Sequence, residues 1–223
     1  NMGEIERILL DWSGTISDDR LPIFRANRLV FLVYKKQPLD FDSWLEVATG
    51  TAKLLYESQG IIDPDATRIS DNFYDEFVHQ GLAPIIYPDV LPVLKELHSM
   101  GIPMGVISAH PQKSLEHEAQ KYEIAQYFDF IRGSVANKKE LLMSLSNQEE
   151  LGVSINPAKT LYVGDTVYDM ENALQAGYVP VGIGNKIEGH PGNFRGYNNP
   201  SRLKEKANIV LDDLTSLVDL VKN

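Results

Sequence analysis

Short apolar runs recur along the chain at residues 8–10, 104–107, 128–131, 161–163, 179–183 and 209–211. Between most of them lie longer stretches, at 90–100, 112–122, 138–145 and 167–176, whose apolar positions return every three or four residues. The runs have strand length and the spaced stretches have helix length. Their alternation predicts an α/β fold, a doubly wound and mainly parallel sheet with helices on both faces. Pro92 and Pro111 fall at expected first turns, where a missing N–H has no intrahelical partner to lose. Gly101 and Gly177 fall just past expected helix ends, where a left-handed residue is commonly needed.

One segment interrupts the alternation. From 17 to 84 no strand is expected, and 21–34, 41–56 and 65–78 each read as a helix, separated by Gln37-Pro38 and by residues 60–64. An all-helical block after the first strand of such a sheet reads as an inserted cap subdomain over 17–84, with 1–16 and 85–223 forming the α/β core. Late in the chain, 184–200 is rich in Gly, Asn and Pro. A loop of that length is usually functional or mobile, and it is expected to border the site.

Composition narrows the function. The 223 residues include no cysteine, which excludes disulfides, thiolate metal sites and a cysteine nucleophile. With 21 basic against 31 acidic residues, the formal charge is −10. Phosphate-backbone binders need clustered Lys and Arg, so nucleic acid is not an expected partner. No apolar run approaches the ~18 residues of a membrane span. The first six residues lack the basic and apolar regions of a secretory signal. The expectation is a cytoplasmic protein, and the oligomeric state is left open.

The informative positions are those that end the apolar runs. Residues 8–10 lead into Asp11, 104–107 into Ser108, and 161–164 into Asp165. Ligands of open α/β sheets bind outside the carboxyl ends of the strands. Two carboxylates and a hydroxyl are thus expected at one sheet edge. Around them stand Asp11-Trp12-Ser13-Gly14-Thr15, Ser108-Ala109-His110-Pro111, the pair Lys138-Lys139, and Gly164-Asp165 followed by Asp169. Asp-x-x-Gly-Thr and Gly-Asp-x-x-x-Asp coincide by chance in roughly one chain in a thousand at average residue usage.

In these four sets, taken in order, the chain resembles the haloacid dehalogenase-like (HAD) hydrolase superfamily over nearly its whole length. The resemblance implies a HAD-like Rossmannoid core with a type-1 helical cap, and Mg²⁺-dependent phosphatase activity on a small phosphorylated metabolite. It implies Asp11 as a nucleophile forming an aspartyl-phosphate, and Asp11, Asp165, Asp169 and the backbone carbonyl of Ser13 as oxygen ligands of Mg²⁺. It implies Ser108, Ala109, Thr15 and a third-motif lysine at the substrate, with the choice between Lys138 and Lys139 open. Hard oxygen donors suit Mg²⁺, and neutralising the phosphoryl charge is what lets a carboxylate attack it.

The chain departs from the family at Ser13, where most family phosphatases carry an Asp that protonates the leaving alcohol and then activates water. A hydroxyl of ordinary pKa cannot do that work near neutrality, and losing such a group removes roughly 10²–10⁴-fold in rate. Three readings follow: a phosphatase using a good leaving group or another acid from the cap, a long-lived phospho-Asp11, or cleavage of a bond that needs no such acid. Asp-Trp-Ser-Gly-Thr is similar to the Asp-Trp-Ala-Gly-Thr of phosphonoacetaldehyde hydrolases, which implies a Schiff-base role for Lys53 in the cap. On a continuous helix, however, Lys53 lies opposite the face of Trp44, Ala48 and Leu55, as a solvated lysine does. A different class also stays open, a phosphate-ligand binding or regulatory module with little turnover. Trp12 reads as a core or cap contact, with a direct substrate role as the alternative; His110, two residues past Ser108, reads as a solvated or capping histidine, with a place flanking the pocket as the alternative; and Arg20, Arg25 and Arg28 read as a solvated helix face, with contact to a substrate anion as the alternative.

Overall fold

A computed structural model of the chain describes residues 4–146, 154–184, 195–197 and 200–222. Strands β1 (Arg7–Leu10), β4 (Met104–Ile107), β5 (Phe130–Arg132), β6 (Thr160–Gly164), β7 (Val179–Ile183) and β8 (Ile209–Leu211) form one sheet in the order β5-β4-β1-β6-β7-β8. Every pairing in it is parallel. The alternation therefore resolves into the expected α/β class. The run expected at 128–131 forms a strand two residues later at its start, because 125–127 take a 3-10 turn first.

Successive side chains of a strand point to opposite faces, and the central strands divide accordingly. Ile8, Leu10, Met104, Val106, Leu161 and Val163 enter one core, with α5 (Val90–Ser99), α6 (Gln112–Lys121) and α10 (Ser216–Lys222) supplying Leu94, Leu115 and Leu217. Leu9, Ile107 and Tyr162 enter the other, under α7 (Lys138–Ser146) and α8 (Val167–Gln175), which supply Leu142 and Ala173. A strand buried on both faces has no polar position to spare until it ends. That is why the first polar residues after β1, β4 and β6 stand at the sheet's carboxyl edge. Each fully buried Leu, Ile or Val contributes about 1.5–3 kcal/mol by leaving water.

Between β1 and β4 the chain forms α1 (Arg20–Val33), α2 (Phe41–Val47), α3 (Ala52–Ser58) and α4 (Asp65–His79). These helices bury a cluster of their own, including Val30, Phe31, Trp44, Leu45, Leu55 and Tyr56. A polar knot sits within it: Asn27 accepts from Trp44 Nε1 at 3.0 Å and donates to Tyr56 Oη at 2.8 Å and Ser70 Oγ at 3.1 Å. Two expectations for this segment are corrected. Short strands β2 (Ser17–Asp18) and β3 (Ile85–Ile86) pair antiparallel and bracket the helices. The single helix expected over 41–56 is two, because residues 48–51 leave the helical path and Thr51 caps α3 by accepting from Leu54 N. Among the described residues no helix is long and apolar enough to cross a membrane.

Candidate active site

Sheet register brings the first charged groups together. Leu10 pairs with both Val106 and Val163, so Asp11 lies one step short of Ser108 and Asp165 along the neighbouring strands. Asp11 N donates to Val163 O at 2.9 Å, which holds this turn against β6. Thr166 caps α8 by accepting from Asp169 N at 3.1 Å, and its hydroxyl donates to Asp169 Oδ2 at 2.8 Å. One element end thus orients the second acid of its own motif.

Asp11, Asp165 and Asp169 each offer a carboxylate oxygen within 4.8 Å of the others, and all three are buried. Lys138 Nζ donates to Asp11 Oδ1 at 2.9 Å and to Asp169 Oδ1 at 2.6 Å. Of the two candidate lysines, Lys138 is the one that reaches the acid cluster. Lys139, one residue on, is half-buried and makes no hydrogen bond or ion pair with the cluster among the described residues. Burial, then the charge of Asp169, raises the Asp11 carboxyl to about 7 against the pull of Lys138. Burial and the charges of Asp11 and Asp169 push Asp165 well up. Burial alone disfavours the Lys138 ammonium, but Asp11 and Asp169 outweigh it and hold it protonated.

The remaining oxygens of Asp165 are tied by parts of the chain far apart in sequence. Thr15 Oγ1 donates to Oδ1 at 3.2 Å and Tyr197 N donates to Oδ2 at 2.7 Å. Gly14 and Gly196 have positive φ, 77° and 75°, and a side-chain carbon at either would collide with Asp165 Oδ2. Thr15 was expected at the substrate, but it is fully buried and its hydroxyl is bonded to Asp165. Most of the 184–200 loop lies outside the described residues. Within it, residues 195–197 sit on the acid cluster. Arg195 ion-pairs with Asp89 at 2.5 Å and donates to Thr15 O at 2.7 Å, while Tyr197 Oη donates to Asp19 at 2.7 Å.

A cavity of about 420 Å³ opens between the sheet edge and the helical segment. Asp11, Ser13, Ser108, Ala109, Lys138 and Asp169 line its floor, and helices α1, α3 and α4 line its roof. Ser108 is buried and accepts from His110 N at 3.1 Å, and the Ala109 N–H beside it has no partner among the described residues. The N–H of Gln112, at the start of α6, donates to Ser134 Oγ at 3.0 Å. Lys53 reaches the cavity wall because the helix is interrupted at Gly50, but its side chain is 75% exposed and lies 3.6 Å from Glu57.

Two other expectations change. His110 is neither solvated nor a cap: it is 7% exposed, lines the cavity, and places Nε2 2.5 Å from Glu118 Oε2. Arg20 is not on a solvated face either; it is buried against Asp18 and Gly196 O, whereas Arg25 and Arg28 are exposed. Trp12 meets its reading as a core contact: it is fully buried and not on the cavity wall. Sequence reasoning missed Glu118, Asp19 and Tyr197. Only the eight-residue step from His110 to Glu118, about two helical turns, carried any signal.

Comparison with known proteins agrees with the fold and shows the family. The model of a family described as haloacid dehalogenase-like hydrolase matches residues 8–183. A phosphoglycolate phosphatase of Pseudomonas fluorescens (strain Pf0-1) is 24% identical over 97% of this chain and 80% of that relative. One from Vibrio vulnificus (strain CMCP6) is 30% identical over 70% of this chain and 64% of that relative. Among solved structures, a predicted phosphatase from Clostridium acetobutylicum superposes with a TM-score of 0.80 at 19% identity, over 99% of both chains.

Proposed function

The chain belongs to the haloacid dehalogenase-like hydrolase family and is a phosphohydrolase; from that premise we propose that it is a Mg²⁺-dependent phosphatase of a small phosphorylated metabolite, working through an aspartyl-phosphate on Asp11. The observation that carries the reading is the cluster itself: three carboxylates are buried together at the sheet edge, and the one ammonium among them pairs with two. Fully ionised, that set is short of positive charge in a place where water cannot screen it, and a divalent cation restores the balance. An all-oxygen donor set fits Mg²⁺ rather than a softer metal.

Asp11, Asp165, Asp169 and the Ser13 carbonyl would hold the cation, which when bound withdraws charge from the phosphoryl group. One Asp11 oxygen attacks phosphorus in line with the leaving oxygen. Lys138 neutralises Asp11 as it approaches and then faces the phosphoryl oxygens. Ser108 Oγ and the Ala109 N–H bind the oxygens on the opposite side. Positioning and charge stabilisation carry most of the rate in such transfers. The helical segment over 17–84 acts as a cap, and its cavity-facing residues select the leaving group.

The relatives' names make 2-phosphoglycolate the first substrate to try. Phosphate release from it and from p-nitrophenyl phosphate is expected with Mg²⁺, and is abolished by EDTA and by Asp11→Asn. Turnover surviving in Asp11→Asn would remove the proposal. Full Mg²⁺ occupancy without turnover of any phosphate ester would point to the binding-module reading. The interruption at Gly50 keeps a second reading in view, since it brings Lys53 to the cavity. A Schiff-base lysine is made neutral by desolvation or a neighbouring cation, whereas this ammonium is exposed beside Glu57. Borohydride trapping with phosphonoacetaldehyde and no adduct at Lys53 eliminates P–C cleavage by that route.

A further inference from the structure

With Ser13 in place of a carboxyl group, the phosphatase reading leaves the departing oxygen without an evident proton donor. The same cavity contains a second buried charged group. His110 presents Nε2 to Glu118 Oε2 at 2.5 Å, and the other oxygen of Glu118 accepts from Tyr74 Oη at 2.9 Å. The Tyr74 ring stands edge-on to the imidazole, with centroids 5.1 Å apart and planes at 85°. Residues of α6 and α4 thus fix both the plane and the tilt of the ring. Its second nitrogen, Nδ1, has no hydrogen-bond partner among the described residues and is not sealed from solvent. Asp11, Ser13 and His110 line one cavity.

We propose that His110, held by Glu118, is the general acid and base of this enzyme, in the role that Ser13 cannot fill. The proposal rests on the phosphatase reading above. In the first step a bond forms between Asp11 Oδ and phosphorus while the bond from phosphorus to the leaving oxygen breaks. His110 Nδ1–H gives its proton to that oxygen, and the alcohol departs neutral. The imidazole keeps its Nε2–H on Glu118. In the second step Nδ1 accepts a proton from water as its oxygen bonds to phosphorus and the Asp11–phosphorus bond breaks. Phosphate leaves and the imidazolium is restored.

The charged surroundings fit this duty. Burial disfavours the imidazolium, but the hydrogen bond and charge of Glu118, with Asp19 and Asp71 farther off, raise His110 above its ordinary range. These are the groups that face it: Glu118 from α6, Tyr74 and Asp71 from α4, and Asp19 ahead of α1. Asp71 also lines the cavity, and burial raises it to about 6. It has no hydrogen bond among the described residues to aim it, whereas His110 has an orienting carboxylate, as an effective acid–base group requires.

The test compares two esters of similar shape. Phenyl phosphate releases a phenol of pKa about 10 that needs a proton; p-nitrophenyl phosphate releases a far more stable phenolate. For the full chain with Mg²⁺, His110→Gln is expected to lower kcat/KM on phenyl phosphate by roughly 10²–10⁴-fold. On p-nitrophenyl phosphate, kcat/KM changes by less than about threefold, while kcat drops and a burst of nitrophenolate marks accumulated phospho-Asp11. The alkaline fall of kcat/KM on phenyl phosphate is expected in the unmutated enzyme, absent in His110→Gln, and moved to lower pH in Glu118→Gln. Equal losses on both esters, or none on either, overturn the proposal. So does an alkaline limb that stays in place in Glu118→Gln, or a leaving-group split produced by Asp71→Asn instead. Activity retained in Asp11→Asn on both esters would strike the phosphatase reading itself, a result separable from all of these.

Discussion

At the sheet edge, Asp11, Asp165 and Asp169 are buried together with a single ammonium, Lys138, which pairs with Asp11 and Asp169; across the same cavity, His110 meets Glu118, with Tyr74 on the second oxygen. Both groups are largely buried, so water screens their charges poorly. The second is matched one positive to one negative, and its hydrogen bonds are largely internal. The first carries three acids for one base. A buried charge without a partner is costly, and in practice it neutralises itself or recruits a counter-ion. The raised Asp11 and Asp165 carboxyls are the first of these responses. Cation binding is the second. The contrast separates a cluster that needs something from outside the chain from one already complete, and only the incomplete one is suited to hold an ion and attack a phosphate.

Substitutions can break this contrast in order of expected size. Asp11→Asn keeps the shape of the site and removes its nucleophile, so turnover is expected to fall by at least about 10⁴-fold while the melting temperature holds or rises. A coupled phosphate-release assay beside a thermal melt checks both halves. Lys138→Met is expected to cost about 3–5 kcal/mol of stability without Mg²⁺, because it strips the one cation from three acids. Urea unfolding should show that loss shrinking as Mg²⁺ is added, and a loss indifferent to Mg²⁺ would break the idea that the two cations share a task.

Metal itself is the next lever. At a hundred times its Kd, Mg²⁺ is expected to stabilise the protein by about 2.7 kcal/mol. The folded Asp11 carboxyl is raised from 3.8 to about 7, so the metal-free protein loses stability as pH rises through that window. Mg²⁺ binds the ionised form, and its stabilisation should therefore be larger at pH 8 than at pH 5, as calorimetry with and without EDTA would record.

The smallest expected effect lies in the matched pair. The folded His110 is raised above its ordinary value, so its contribution is fully present below the unfolded pKa of about 6.5 and is lost as pH rises through the folded one. Glu118→Gln allows the ring to shed its proton instead of remaining an unpaired cation. The cost at pH 6 should be only about 1–3 kcal/mol, and the stability slope on the alkaline side should flatten. An unchanged slope would mean that another group titrates there.

The two clusters were not equally legible in the linear chain. Asp11, Ser108, Asp165 and Asp169 each follow an apolar run or open a helix behind one, and strand ends of a parallel sheet converge by construction. Lys138 and Lys139 remained a pair until the turn ahead of α7 placed one ammonium on Asp11 and left the other outside. His110 was misjudged because a histidine after a strand is usually wet; only packing of α4 against α6 buried it. Lys53 depended on whether a helix survives Gly50, which local spacing does not decide. Arg195 and Tyr197 had no linear signal, since their contacts with Thr15 and Asp165 span 180 and 32 residues.

What the chain's own pattern determined is the α/β layering, the helical block after the first strand, and the set of polar residues delivered to one edge. Those follow from local periodicity and from the rule that a doubly buried strand becomes polar only where it stops. What the tertiary structure decided is which of those groups share a charge: which lysine enters, which histidine is buried beside a carboxylate, and which loop closes over Asp165. These are contacts between segments distant in sequence, and their energies depend on exclusion of water by the assembled fold, a quantity no local stretch contains.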